Sequence, residues 1–307
     1  MKYKFDFASM KNETKKAIEK DRKKFQPDER LWKITVNDEK KGSAVLRFLP
    51  DQNGVPFKKY KSHFFWYEGP NGNTAYSGMC PRSIGEKCPV CDKASDFWKS
   101  PFDVDKNQAK GMFAKEHWVA NVYVEKDQFK PENEGKVFLY DFGPQIYKMY
   151  EKAMFGPTEE EREDMDQDEI DEIVTFVPCD FENGAPFLLK ATPKQIGKSK
   201  AYTYEKSKFK NPSRIFEELG DSEFEGKIEE IMEKTHDLSE WDKKEKYPTD
   251  DYVKSKLGSF LGKSQDSVVD DSDDEDEDET EIMTETTTEK SSSDDDYGDF
   301  VDSLLEE

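Results

Sequence analysis

From Leu31 the chain alternates between apolar and polar residues with a period of two. Leu31-Trp-Lys-Ile-Thr-Val36 and Ser43-Ala-Val-Leu-Arg-Phe-Leu49 each read as a strand, and Asn37 to Gly42 reads as the turn that would join them in a β-hairpin. Asp51 to Gly54 is a second turn, followed by a strand-like run, Phe57 to Tyr67, rich in Lys and aromatics. Glu116 to Lys126 and Lys136 to Phe142 are two more strands, with Pro131 to Gly135 turning between them. Val174 to Pro178 and Phe187 to Thr192 read as a further pair joined by a Glu182-Asn-Gly-Ala185 turn. The period changes over Pro144 to Phe155, where Ile146, Met149, Tyr150 and Met154 share one side of a predicted helix. Phe216 to Lys246 holds helical segments, and Tyr252 to Leu261 is the last piece expected to order. Ser100 to Gly111 and Lys194 to Lys210 read as loops. Short strands separated by turns predict a mainly β protein with α additions, built on a small barrel rather than a parallel sheet.

Only 34% of the 307 residues are apolar, a low share that implies a folded body carrying polar segments. Charge divides the chain in the same way. Residues 1–25 hold nine Lys or Arg and four Asp or Glu, and Ser264 to Glu307 holds 20 acidic residues against Lys290 alone. The chain therefore reads as a basic arm (1–25), a body (26–263) and an acidic tail (264–307) too poor in apolar surface to fold. The arm has helical potential from a cap at Asn12 or Thr14. Neither a secretory signal nor a membrane-length apolar run is evident, and the cysteine usage fits a reducing cytosol.

Three of the four cysteines fall in one stretch, His63 to Cys91. Cys88-Pro-Val-Cys91 is a C-x-x-C knuckle, whose tight turn brings two thiolates to one point. Seven residues separate Cys80 from Cys88, and sixteen separate His63 from Cys80. The set makes a Cys₃His tetrahedral shell suited to one structural zinc ion, within a subdomain spanning about residues 60–110. A redox C-x-x-C would need a thioredoxin-like βαβ context, and a disulfide would need an oxidising compartment. For the fourth ligand His63 ranks first, because it enters from a preceding strand; His117 is second and Cys179 third. A closed four-ligand shell leaves no open position for catalysis.

Basic residues recur beside aromatics: Lys58-Lys-Tyr-Lys61, Lys115 near Trp118, and Tyr202-Thr-Tyr-Glu-Lys-Ser-Lys-Phe-Lys210. Rings stack on unpaired bases of any sequence and the neighbouring ammonium groups neutralise phosphates, which together describe a single-strand groove. A major-groove reading element is not evident. Trp32 and Phe48 read as core; Tyr202 and Tyr204, in a polar loop, read as exposed. The ten carboxylates of Thr158 to Glu172 read as a solvated face, with a metal-dependent phosphodiester enzyme as the alternative.

Ala44-Val-Leu-Arg-Phe-Leu-Pro50, the cluster ending in Cys-Pro-Val-Cys91, Ala120-Asn121, Pro131-Glu-Asn-Glu-Gly-Lys-Val-Phe138 and Tyr204-Glu-Lys-Ser-Lys-Phe209 resemble, in the same order, the single-stranded DNA-binding (helix-destabilising) proteins of T-even-type bacteriophages. The resemblance implies an oligonucleotide-binding (OB) fold core with an inserted zinc subdomain, and a non-enzymatic protein that coats single strands cooperatively and head-to-tail in the cytoplasm of the infected host. It implies zinc ligands at His63, Cys80, Cys88 and Cys91, and DNA contacts near Arg47, Tyr76, Trp118, Tyr140 and Tyr204. Lys58, Lys59, Lys115, Tyr202, Lys206 and Lys208 join that set from the residue pattern. The family's basic cooperativity motif has a loose counterpart in Arg22, Lys23 and Lys24 with Thr14. Phe300, Val301, Leu304 and Leu305 add apolar side chains that a purely solubilising tail would not need, and they are the expected contact for replication and recombination partners. An acidic interaction scaffold without DNA affinity is the remaining alternative.

Overall fold

The computed structural model describes residues 28–69, 72–171, 173–196 and 199–261; the expected arm and tail, with Arg22, Lys23, Lys24, Phe300, Val301, Leu304 and Leu305, lie outside them. The body is a mainly β structure with several helices. Its central strand is β2 (Gly42–Leu49), all eight residues of which are buried. β2 pairs antiparallel with β5 (Lys115–Asp127) on one side and β7 (Phe187–Ile196) on the other, so both of its hydrogen-bonding edges are satisfied. A bulge between Val45 and Leu46 bends the strand. β5, thirteen residues long, changes partner along its length: its first five residues pair with β3 (Lys58–Gly69), and Asn121 to Asp127 pair with β2. Its other edge carries β6 (Val137–Phe142). β8 (Ser199–Thr203) and the two-residue β9 (Lys208–Phe209) both pair with β7.

The main strand path runs from β1 (Leu31–Trp32) through β6, β5, β2 and β7 to β8, and its two ends do not pair with each other. The described sheet is therefore open. The expected hairpin between Leu31 and Leu49 is not formed: β1 pairs in parallel with β6, Leu31 opposite Leu139 and Trp32 opposite Tyr140. Trp32 is anchored there by its ring N–H, which donates to Asp127 Oδ2 at 2.9 Å. A strand not expected, β4 (Gly72–Met79), folds back on β3. Val174 to Pro178 is not a strand, and much of the expected 194–210 loop is instead β7, β8 and β9.

Seven α-helices surround the described sheet: α1 (Pro89–Trp98), α2 (Asp103–Met112), α3 (Pro144–Phe155), α4 (Glu159–Glu163), α5 (Gln167–Asp171), α6 (Asp221–Met232) and α7 (Asp250–Leu261). α3 lays Ile146 and Tyr150 on the main core, whose centre is Phe48. The Phe48 ring meets Phe142, Tyr150, Phe187 and the partly buried Phe209 at centroid distances of 5.1–6.0 Å, and each of the fully buried rings contributes about 1.5–3 kcal/mol. α6 covers Leu49 and Ile215, and a 3₁₀ turn (Leu238–Asp242) seats Leu238 and Trp241 on Val119 and Leu139. The chain's last third is tied back by polar bonds as well. The buried Asn121 amide donates to His236 O at 3.0 Å and accepts from His236 N at 2.8 Å, satisfying both of its ends.

Candidate metal centre and nucleic-acid face

β3 and β4 build one wall of the metal centre and α1 the other. His63 lies on β3 opposite Gly78, and Cys80 follows β4 directly, its N–H donating to Lys61 O at 2.7 Å. Cys88 caps α1, Pro89 begins the helix, and Cys91 sits in its first turn. That spacing points both sulfurs to one side at the positive end of the helix dipole. His63 Nε2 is 3.2 Å from Cys88 Sγ and 3.5 Å from Cys91 Sγ, and Cys80 Sγ is 3.5 Å from Cys91 Sγ. The four ligand atoms lie within 4.8 Å of one another, and all but Cys91 belong to buried residues. Around a tetrahedral zinc ion such edges would be about 3.5–3.8 Å, from bonds of about 2.0–2.3 Å, so the cluster fits one ion of that kind. His63 Nδ1–H donates to Met112 O at 2.9 Å, which fixes the tautomer and turns Nε2 toward the sulfurs.

The electrostatics are those of four groups that share protons among themselves. Burial acts to lower the His63 pKa, but hydrogen bonds that the imidazolium donates to the Cys80 and Cys88 sulfurs outweigh it and carry the value up to about 9. Hydrogen bonds to Cys80 and Cys91 hold the Cys88 thiol below its usual range, while hydrogen bonds and burial push the Cys91 thiol up. A dication would take the place of these shared protons. Neither of the other candidate ligands joins the cluster. His117 is 3.0 Å from Ser62 Oγ, 3.3 Å from Asp141 Oδ1 and stacked on Tyr60. Cys179 packs on the main core beside Tyr150.

The expected DNA-contacting residues divide into two groups. Lys58, Lys59, Lys115, Lys206 and Lys208 are at least partly exposed. Lys58 pairs with Asp242 at 2.6 Å, while Lys59 and Lys61 both reach Glu116, at 2.7 and 3.2 Å. These surface pairs are worth about 0–1 kcal/mol each and yield readily to a competing anion. Arg47, Tyr76, Trp118, Tyr140 and Tyr204 are instead 2–9% exposed. Their partners are already within the protein. Trp118 stacks on Tyr147 at 4.2 Å and 11°, Tyr76 on Phe65 at 4.9 Å, and Tyr140 meets Trp32 edge-on at 5.5 Å. Arg47 donates to Glu125, to Ser213 O and to Ser213 Oγ. The open stacking platform expected at these positions is thus replaced by packing. Tyr204 enters the main core and Tyr202 packs beside it, 5.6 Å away, against the expectation that both are exposed.

A family model described as "gp32 DNA binding protein like" matches residues 40–261. The chain belongs to this family. It is also 32% identical over 262 residues to the single-stranded DNA-binding protein of Enterobacteria phage T4, covering 80% of this chain and 79% of that one. The corresponding protein of Enterobacteria phage T2 matches at the same identity, with 78% of its length covered.

Three features of this family member escape its sequence pattern. Tyr147, the ring stacked on Trp118, lies on α3 and looks from spacing alone like one more core position. α2 forms where a loop is expected, because its ten residues are mostly polar; only Ala109 and Met112 are buried. α7 is expected as an ordered piece but not at its actual address: Val253 and Leu257 pack into the metal core with Phe65, Tyr76, Val90 and Ala94. Exposed aromatics also gather at the ends of α1 and α2, where Trp98 and Phe113 meet edge-on at 5.6 Å and Phe102 is 68% exposed. Among the described residues no helix is long and apolar enough to cross a membrane.

Proposed function

We propose that this chain is a non-enzymatic single-stranded DNA-binding protein of phage replication, recombination and repair, working without strong sequence preference in the cytoplasm of the infected bacterium. The observation that carries this is the 32% identity, across four-fifths of the chain, to a phage T4 protein named for that activity. The strands β2, β3, β5, β6 and β7 would form an OB-type core despite the open path between β1 and β8. The metal would be one structural Zn²⁺ on His63, Cys80, Cys88 and Cys91; the thiolate-rich, closed donor set and the His63–Met112 bond support that choice. It would supply a cross-link between β3, β4 and α1.

Lys58, Lys59, Lys115, Lys206 and Lys208 would meet phosphates. Tyr147 and Tyr202, both half-buried, would offer ring edges to bases, and Arg47, Tyr76, Trp118, Tyr140 and Tyr204 would shape the groove from behind. Residues 1–25, through Arg22, Lys23 and Lys24, would join neighbouring copies head-to-tail along the strand. The acidic run 264–307, through Phe300, Val301, Leu304 and Leu305, would recruit other replication and recombination proteins.

A tryptophan-fluorescence titration with oligo-dT and with duplex DNA, each at two salt concentrations, tests the central claim. Tight quenching by oligo-dT, weakened by salt and absent with duplex, is the expected result. Equal binding to duplex, or no response to either, would overturn it.

A further inference from the structure

The period of two along β7 sends its side chains to different faces. Phe187, Leu189 and Ala191 enter the main core, which leaves Lys190, Thr192 and Lys194 on the other face. The register sets Thr203 of β8 opposite Thr192. Lys41, from the turn before β2, and Lys206, after β8, complete a groove of about 510 Å³ around these residues. Among the described residues four lysines line it; Lys194 Nζ lies 3.5 Å from Glu205 Oε1, and Lys41 Nζ lies 2.8 Å from Glu39 Oε2. Among the described residues no aromatic ring lines it.

We propose that this groove is a phosphate track, a stretch of the single strand's path in which the backbone is held and the bases are not. The proposal rests on the single-strand reading above and adds Lys41, Lys190 and Lys194 to the contact set; the Thr192 hydroxyl is already donated to Thr203 O at 3.3 Å. Lys side chains are ordinary donors to phosphate oxygens and carry no sequence information. With no ring in the lining, stacking has no platform here, so the bases turn outward. Lys190 and Lys194 lie about 13 Å apart along the strand, at about 3.3 Å per residue, too far for one phosphate to serve both. The track therefore holds a run of phosphates. An extended polyanion fits that description better than the apolar tip at Phe300 to Leu305, for which the groove has no aromatic or aliphatic pocket.

The test is the full chain carrying Lys190→Ala with Lys206→Ala, titrated with oligo-dT by tryptophan fluorescence from 50 to 400 mM salt. Both side chains lie outside the cores, so the urea midpoint is expected to hold within a few tenths molar and confirms the fold. The slope of log K against log salt should become shallower by about 1.4, at about 0.7 per phosphate contact on a single strand. At 0.1 M salt this corresponds to about 25-fold weaker binding. The quenching amplitude at saturation should be unchanged, because no tryptophan is among the groove's lining residues. An unchanged slope with wild-type affinity overturns the track and leaves the single-strand reading standing. Tighter binding by the double variant also overturns it, and assigns the groove to the acidic run 264–307 instead. If the wild-type chain itself fails to bind oligo-dT, the functional reading falls first and the track with it.

Discussion

Arg47 offers a sharp separation between holding the fold and holding DNA. Its side chain is 6% exposed and its guanidinium makes three bonds: Nε to Glu125 at 2.8 Å, and the two terminal nitrogens to Ser213 O and Oγ at 2.9 and 2.7 Å. Arg47→Met keeps the stem and removes the fork. Breaking a buried ion pair costs about 3–5 kcal/mol when the abandoned charge cannot reach water. Glu125 is 27% exposed and regains some hydration, which lowers the expected loss to about 2–4 kcal/mol. With an m-value of about 3 kcal/mol/M for a body of this size, the urea midpoint should fall by about 1 M. The salt slope for oligo-dT should not change, since a guanidinium spent on Glu125 and Ser213 releases no counterions on binding. A midpoint shift below about 0.3 M, with a slope shallower by about 0.7, would refute the reasoning and make Arg47 a phosphate ligand.

Further outcomes follow from other parts of the structure. Treatment with a chelator, or Cys88→Ser, should remove hydrogen-exchange protection from β4, α1 and α7 together while β2 and β5 stay protected; α7 is included because Val253 and Leu257 share the core that contains Cys80 and Cys88. The Asp28–Arg30–Glu240 network should appear in acid unfolding. Hydrogen bonds from Arg30 hold both carboxyls below their ordinary values of 3.8 and 4.5, so their contribution is present above those values and lost as pH falls through the lowered ones. Stability measured from pH 6 to pH 2.5 should accordingly drop less steeply in Arg30→Ala than in the wild type. Gly42→Ala should destabilise by about 1–3 kcal/mol in the same urea assay, because a Cβ there collides with the Thr35 carbonyl; a neutral outcome would mean that the turn before β2 yields easily.

How far the sequence could be read depended on whether an element's neighbours were local. β5 and β6 were legible because their alternation matches a sheet with one core-facing side, and α3 because four apolar residues at helical spacing pack on the main core. The pairing of β1 was not legible. A turn at Asn37 to Gly42 suggests a hairpin, but Leu31 and Trp32 gain more by packing beside β6, more than a hundred residues on. β4 carries Gly, Asn, Thr and Ser where alternation would be sought, and it is held as a strand by β3 rather than by its own pattern. The four candidate metal ligands were legible as a set, since cysteine spacing is local chemistry, and the structure brings His63 rather than His117 to the sulfurs. Exposure of the aromatics was the hardest to foresee. A tyrosine in a polar run such as 202–208 looks solvated until β7 and β8 divide their faces, rings inward and lysines outward.

The placement of α7 also has a meaning for how the protein is made. About 190 residues separate His63 from Leu257, yet both border the same small core. At about 5–20 residues per second, the ribosome needs about 10–40 s to travel between them. For that interval the nascent metal ligands exist without the helix that covers them, and Phe65, Tyr76 and Val90 lack part of their shelter. A metal ion captured early would hold β3, β4 and α1 together in the meantime, so that the last helix arrives at a finished seat rather than having to build one.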